Sequence, residues 1–227
     1  MNTKQIALAL LITSTLGAAQ ASVLTSAFGL PITESLTDIV ETGVLNKFNP
    51  ALGTLTGASL TMFGSGTTTI SLTNVSAQSQ SSFANSSMDI NFTSSLLSLD
   101  ALLGVNPEIS LLATTGAAQS YASGQTRTFG PLTSAASFTV DLSSILSSLS
   151  GAGTYELTCE SQSLLTYSGG AKIRGFQDAT GGCGARVTYT YTALREASTV
   201  PEPGSLALVM GALAIGVGAT RRRKVSP

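Results

Sequence analysis

Apolar and polar side chains alternate with a period of two along several stretches of the chain. Thr69-Ile70-Ser71-Leu72-Thr73 puts Ile70 and Leu72 on one face of a strand. Met88-Asp89-Ile90-Asn91-Phe92 does the same, with Met88, Ile90 and Phe92 pointing inward. Ser137-Phe138-Thr139-Val140-Asp141-Leu142 and Arg186-Val187-Thr188-Tyr189-Thr190-Tyr191 follow the pattern. Gly64-Ser65-Gly66, between two such runs, reads as a hairpin-like turn. Between Ser22 and Thr199 no amphipathic run exceeds about ten residues, and no βαβ alternation appears. Short strands separated by Gly and Ser predict an antiparallel β-sandwich. Thr33 to Glu41 stays open between a short helix and a strand, because Leu36, Ile39 and Val40 also satisfy helical spacing. Ser143 to Leu149 is equally ambiguous, and the Ser- and Gln-rich stretch from Asn74 to Asn85 reads as a strand edge or loop.

Two apolar runs break the alternation, one at each end. Residues 1–21 hold one early Lys4, the run from Ile6 to Leu16, and then Ala19-Gln20-Ala21. Small side chains at Ala19 and Ala21 fit the groove of signal peptidase, so cleavage is expected before Ser22. The run is too short to span a bilayer. At the other end Val200-Pro201-Glu202-Pro203 precedes an apolar, Gly- and Ala-rich stretch from Ser205 to Thr220, followed by Arg221-Arg222-Arg223-Lys224. With Gly204 the stretch is about 17 residues, the lower limit for a single transmembrane helix. Ala212/Gly216 and Ala214/Gly218 would let it pack closely against another helix. The four bases act as a stop-transfer cluster and hold that end in the cytoplasm, which leaves the body on the periplasmic side.

This order of Pro-Glu-Pro, short apolar helix and basic cluster resembles the PEP-CTERM sorting signal of Gram-negative bacteria, a tail also labelled the ice-binding protein C-terminal domain. The resemblance covers Val200 to Lys224, with Val225-Ser226-Pro227 as a small departure. It implies that Pro201, Glu202 and Pro203 are recognised by an exosortase-like membrane enzyme, that processing falls near them, and that the mature protein carries no membrane helix. A plain, permanent inner-membrane anchor is the alternative.

Composition bears on the body. The 227 residues are 43% hydrophobic but only 10% charged and 6% aromatic, and 62 are Ser or Thr, against about 25% charged in an average globular chain. His and Trp are absent. That removes Ser-His-Asp and Cys-His nucleophiles and every His-containing zinc or haem site. Five of the eleven bases (Lys4, Arg221, Arg222, Arg223, Lys224) lie in the terminal segments, so residues 22–199 hold eleven acids and six bases, net −5. Lys47, Arg127, Lys172, Arg174, Arg186 and Arg195 are scattered, and nucleic acid is excluded as a partner.

Lys47-Phe48-Asn49-Pro50-Ala51-Leu52-Gly53-Thr54-Leu55, running on to Ser79, resembles the start of the choice-of-anchor E domain, and Val187 to Thr192 resembles its closing strand. The resemblance spans Thr25 to Ala193. It implies a β-rich, secreted bacterial surface module placed upstream of an anchoring signal.

Cys159 and Cys183 are the only cysteines, an even number in an exported chain, which predicts a disulfide. Two cysteines without His are too few ligands for zinc, and the spacing is not Cys-x-x-Cys. Asp89, Asp100, Glu108, Asp141, Glu156, Glu160 and Asp178 could supply a carboxylate pair for glycoside hydrolysis, but no motif places any two together and no Trp offers a sugar platform. Asp178-Ala179-Thr180-Gly181 is only partly similar to the Asp-Thr-Gly of aspartic proteases and reads as a turn. Gly181-Gly182-Cys183-Gly184 lacks the Lys-Ser/Thr of a phosphate loop and reads as a connection between strands. No dense Asp loop for calcium occurs, and the Thr-rich runs show no fixed repeat, so they read as solvated strand faces.

The reading is an all-β body, residues 22–199, between a signal peptide (1–21) and a sorting tail (200–224). It predicts a non-enzymatic, cofactor-free and metal-free structural protein of the cell surface or extracellular matrix, associated with exopolysaccharide. The chain passes signal peptidase, lodges in the inner membrane and is released by the exosortase-like enzyme. A carbohydrate-binding or adhesive surface module is the alternative.

Overall fold

The computed structural model describes residues 21–36, 38–104, 108–168 and 172–194. The expected signal peptide, the Pro-Glu-Pro motif, the expected transmembrane helix and the basic cluster lie outside the described residues, apart from Ala21. The described residues all belong to one compact unit, which ends at Leu194. Among the described residues no helix is long and apolar enough to cross a membrane.

Eleven strands make up most of the described chain: β1 (Ala21–Phe28), β2 (Ser35–Leu36), β3 (Val40–Asn46), β4 (Gly53–Asn74), β5 (Gln80–Ser82), β6 (Ala84–Ser94), β7 (Glu108–Thr114), β8 (Gln119–Tyr121), β9 (Thr126–Asp141), β10 (Thr154–Tyr167) and β11 (Ile173–Ala193). Helices α1 (Leu97–Leu103) and α2 (Leu146–Leu149) are short. One sheet runs β1-β11-β4-β9, with β2 also on β11; the other runs β3-β10-β6-β7; β5 and β8 form a small ribbon. Every pairing between these strands is antiparallel.

The two larger sheets enclose one apolar core. Leu60, Met62, Ala185, Val187 and Tyr189 face Ile90, Phe92, Ile109, Leu111 and Leu157 across it. A second cluster of Ile70, Leu72, Ala84, Tyr121 and Ile173 lies at the far end. The period-two readings at 69–73, 88–92 and 186–191 hold, because each inward side chain named there is buried except Tyr191, which is half-buried. Ser137 to Asp141 is the end of β9 and has a weaker inside: β9 pairs only with β4, and Phe138 stays 49% exposed, whereas Leu142 lies just past the strand and is buried. Thr33 to Glu41 resolves toward strands, as β2 and the start of β3. Ser143 to Leu149 resolves toward helix, as a 3-10 turn and α2.

Three glycine readings are corrected. Gly64-Ser65-Gly66 is no turn: β4 runs unbroken through it. Both glycines sit on the inward face, where a Cβ would press on Ile90 and Met88, so their role is close approach of the sheets. Gly181-Gly182-Cys183-Gly184 and Asp178-Ala179-Thr180-Gly181 likewise lie inside β11, not in a connection or turn. Gly181 makes room for Met88 on the core side, and Gly182 and Gly184 make room for the segment from Gly29 to Thr33 on the outer side.

Candidate functional site

The residues that sequence reasoning tied most directly to function, Val200, Pro201, Glu202, Pro203, Arg221, Arg222, Arg223 and Lys224, fall outside the described residues, as does Ala19. Ala21 and Ser22 open β1, paired with Thr192 and Tyr191 on β11. Cleavage before Ser22 would therefore leave β1 almost whole.

Within the body, the densest chemistry lies at the centre of the sandwich. Cys159 sits on β10 and Cys183 on β11, one in each sheet, and the two are bonded. Their Cα atoms are 6.7 Å apart, inside the range that a disulfide bridges. Both are buried. The bond joins the two sheets through the core, which no backbone ladder can do. The register places Cys159 between Phe92 of β6 and Glu41 of β3.

Glu41 was not among the sequence candidates. Alternation in β3 turns Glu41, Gly43 and Leu45 toward the core side, and Glu41 is half-buried with its Oε2 3.5 Å from Cys183 Sγ. The carboxylate oxygen and both sulfurs lie within 4.8 Å of one another. Nothing near Glu41 in the sequence signals this, because Cys159 and Cys183 reach it only through the pairing of β3 with β10 and the stacking of the sheets.

A second acid, Glu34, is also enlisted by tertiary structure. Ser65 Oγ and Thr180 Oγ1 donate to its two oxygens at 3.0 and 2.8 Å, which fastens the segment between β1 and β2 across the outer face of β11 and β4. Beside it, Ile32, Phe63, Ala135 and Ala136 line an open groove of about 290 Å³.

The seven acids considered for a hydrolase pair are mostly dispersed. Asp100 accepts from Ser94 N at 2.9 Å. Asp141 accepts from Ser143 Oγ and N at 2.6 and 2.9 Å, which holds its carboxyl below the usual carboxylate range. Asp89 and Glu108 come together on the exposed face of the second sheet, where their hydrogen bond and then their like charge raise the Glu108 carboxyl. Asp89 also accepts from Ser110 Oγ at 2.7 Å. Glu156 and Glu160 project from the outer face of β10, and Asp178 from β11.

The Thr-rich faces pair with themselves. Thr61 with Thr139, Ser71 with Thr128 and Thr73 with Thr126 form hydroxyl–hydroxyl bonds of 2.8–3.0 Å between β4 and β9.

No family model matches the chain, and no curated protein matches it. Among solved structures it is similar to one titled infectious bursal disease virus Gx strain, with 13% identity and a TM-score of 0.19 over 93% of this chain and 54% of that one. The chain thus spans about half the length of that protein. It is also similar to one titled Desmodium yellow mottle tymovirus, with 11% identity and a TM-score of 0.18 over 87% of this chain and 94% of that one.

Proposed function

We propose that this chain is an exported structural protein of a Gram-negative cell surface or extracellular matrix, sorted by an exosortase-like enzyme. The observation that carries the reading is the order of Val200-Pro201-Glu202-Pro203, the apolar stretch from Ser205 to Thr220, and Arg221-Arg222-Arg223-Lys224 at one end, with a cleavable apolar run at the other. The mechanism is sorting. Signal peptidase removes the leader, the apolar stretch lodges in the inner membrane, and Pro201, Glu202 and Pro203 are presented outside it for recognition and cleavage. A sandwich whose sheets are joined by a disulfide supports this reading, since such bonds persist in oxidising compartments. Exopolysaccharide is the expected companion of the released domain.

The test is the intact mass and cellular fraction of the protein in an exosortase-bearing host, beside a Pro201→Ala/Glu202→Ala/Pro203→Ala variant. The expected result is a wild-type mass ending near Pro203, at the surface or in the medium, with the variant held in the inner membrane. An uncleaved wild type that fractionates like the variant would make this a permanently anchored periplasmic protein.

A further inference from the structure

We infer that Glu41, Cys159 and Cys183 form a binding site for a zinc-class divalent cation when the disulfide is reduced. The inference stands apart from the sorting reading, because it rests only on residues of the body. Three elements converge on the site: β3 brings the carboxylate, β10 and β11 bring the two sulfurs, and no two of the three side chains are neighbours in sequence.

The spacing suits a tetrahedral ion. With metal–sulfur bonds of about 2.3 Å and a metal–oxygen bond of about 2.0 Å, tetrahedral angles separate an oxygen ligand from a sulfur ligand by about 3.5 Å and two sulfurs by about 3.8 Å. Glu41 Oε2 already lies 3.5 Å from Cys183 Sγ. The Cα atoms of the cysteines stand 6.7 Å apart, at the wide end of the disulfide range, and the site requires the two sulfurs to separate by side-chain rotation once the bond is reduced. Thiolate and carboxylate together select a borderline ion such as Zn²⁺ over Mg²⁺ or Ca²⁺, which prefer all-oxygen sites. Three protein ligands leave a fourth position for water, on the half-buried side where Glu41 reaches solvent.

A dithiol reductant gives two electrons and two protons to the Cys159–Cys183 bond and becomes a disulfide itself, leaving two thiols. The M²⁺ ion then displaces both thiol protons, forms two metal–sulfur bonds and takes the Glu41 carboxylate as its third ligand. A disulfide oxidant reverses the sequence and releases the ion. Affinity for the metal rises with pH, because two protons leave on binding.

The experiment uses the full chain, reduced without oxygen by a non-chelating phosphine and titrated with Co²⁺ alone. Expected are one Co²⁺ per chain, sulfur-to-cobalt charge-transfer absorption, the visible bands of tetrahedral cobalt, and their loss on adding Zn²⁺. Glu41→Gln keeps both thiols and is expected to weaken Co²⁺ binding by about tenfold or more. The oxidised chain should give no such absorption. A reduced chain that loses its strand signal, gives no sulfur–cobalt band, or binds Co²⁺ equally well as Glu41→Gln overturns the inference. The last result would leave only a dithiol that takes any soft ion.

Discussion

Gly64 of β4 lies directly under Ile90 of β6, so that a Cβ at position 64 would stand 2.6 Å from Ile90 Cδ1 and 3.2 Å from Ile109 Cγ2. The two sheets touch there with nothing between them but the glycine Cα. Gly64→Ala is therefore expected to destabilise the domain by about 1–3 kcal/mol through overpacking. Chemical denaturation checks this, and Ile90→Val in the same chain should recover part of the loss by withdrawing the colliding methyl.

That contact shows why the fold was largely legible and these glycines were not. Ile70, Leu72, Met88, Ile90, Val187 and Tyr189 declare an inside and an outside by alternation alone, and the structure buries every one. A glycine carries no such mark. Gly64 and Gly66 keep the period of β4, and Gly181 to Gly184 that of β11, yet the residue type favours a turn reading until the opposite sheet is in place. Phe138 fails in the other direction: its spacing is strand-like, but β9 has a partner on one side only and the second sheet leaves it half open. Among the described residues, Cys159 and Cys183 were the part of the site visible beforehand, since their even number and the expectation of export suffice to pair them. Glu41 was hidden because a lone acid acquires chemistry only from what folding sets beside it.

The bond between Cys159 and Cys183 closes a sequence separation of 24 residues. In the chain-entropy account a loop of that size contributes about 3.5 kcal/mol by restricting the unfolded chain. A Cys159→Ala/Cys183→Ala double variant should fall by about that amount in a denaturant titration, whereas the wild type should match it only when a reductant is present. A double variant as stable as the oxidised wild type would mean that packing alone holds the sheets together.

Tyr155 and Tyr189 are neighbours in the core with opposite hydrogen-bonding circumstances. Tyr189 Oη donates to the Asn46 carbonyl at 2.7 Å, while the buried Tyr155 hydroxyl has no partner among the described residues. Tyr189→Phe should destabilise by about 1 kcal/mol, and Tyr155→Phe should be neutral or stabilising by about 1 kcal/mol, because it removes a buried unsatisfied group. Burial, reinforced by Tyr189, pushes the Tyr155 hydroxyl far above the ordinary value of 10.0, and burial also raises Tyr189. For an acid raised in the folded state, the unfolded chain ionises first as pH climbs. Stability from both groups is thus complete below about pH 10 and declines above it. Thermal melts at rising pH should show this alkaline loss in wild type and a shallower one in Tyr155→Phe.

Asn74, at the end of β4, is fully buried, and its side chain ties the end of that strand to the backbone of the β5–β8 ribbon and its flanks. Nδ2 donates toward the carbonyls of Gln78, Tyr121 and Ala122 at 2.8, 3.0 and 3.1 Å, and Oδ1 accepts from Ser76 N at 2.9 Å. The β5–β8 ribbon is thereby fixed to the long strand that it would otherwise leave. Asn74→Ala strands several buried backbone groups at once and should cost about 3 kcal/mol, more than a single hydrogen bond, because the network fails as a unit. Asn74→Asp is the sharper test. It keeps the shape and the acceptor for Ser76 N but replaces the donor with a second carboxylate oxygen facing three carbonyls. If the donor is what matters, Asn74→Asp should be at least as damaging as Asn74→Ala at neutral pH and should regain stability in acid, as the carboxyl takes up a proton and becomes a donor again. Hydrogen exchange at the β5–β8 amides would locate the loss in the ribbon. Equal exchange in wild type and Asn74→Asp would show that the ribbon is held by Tyr121 and its apolar neighbours instead.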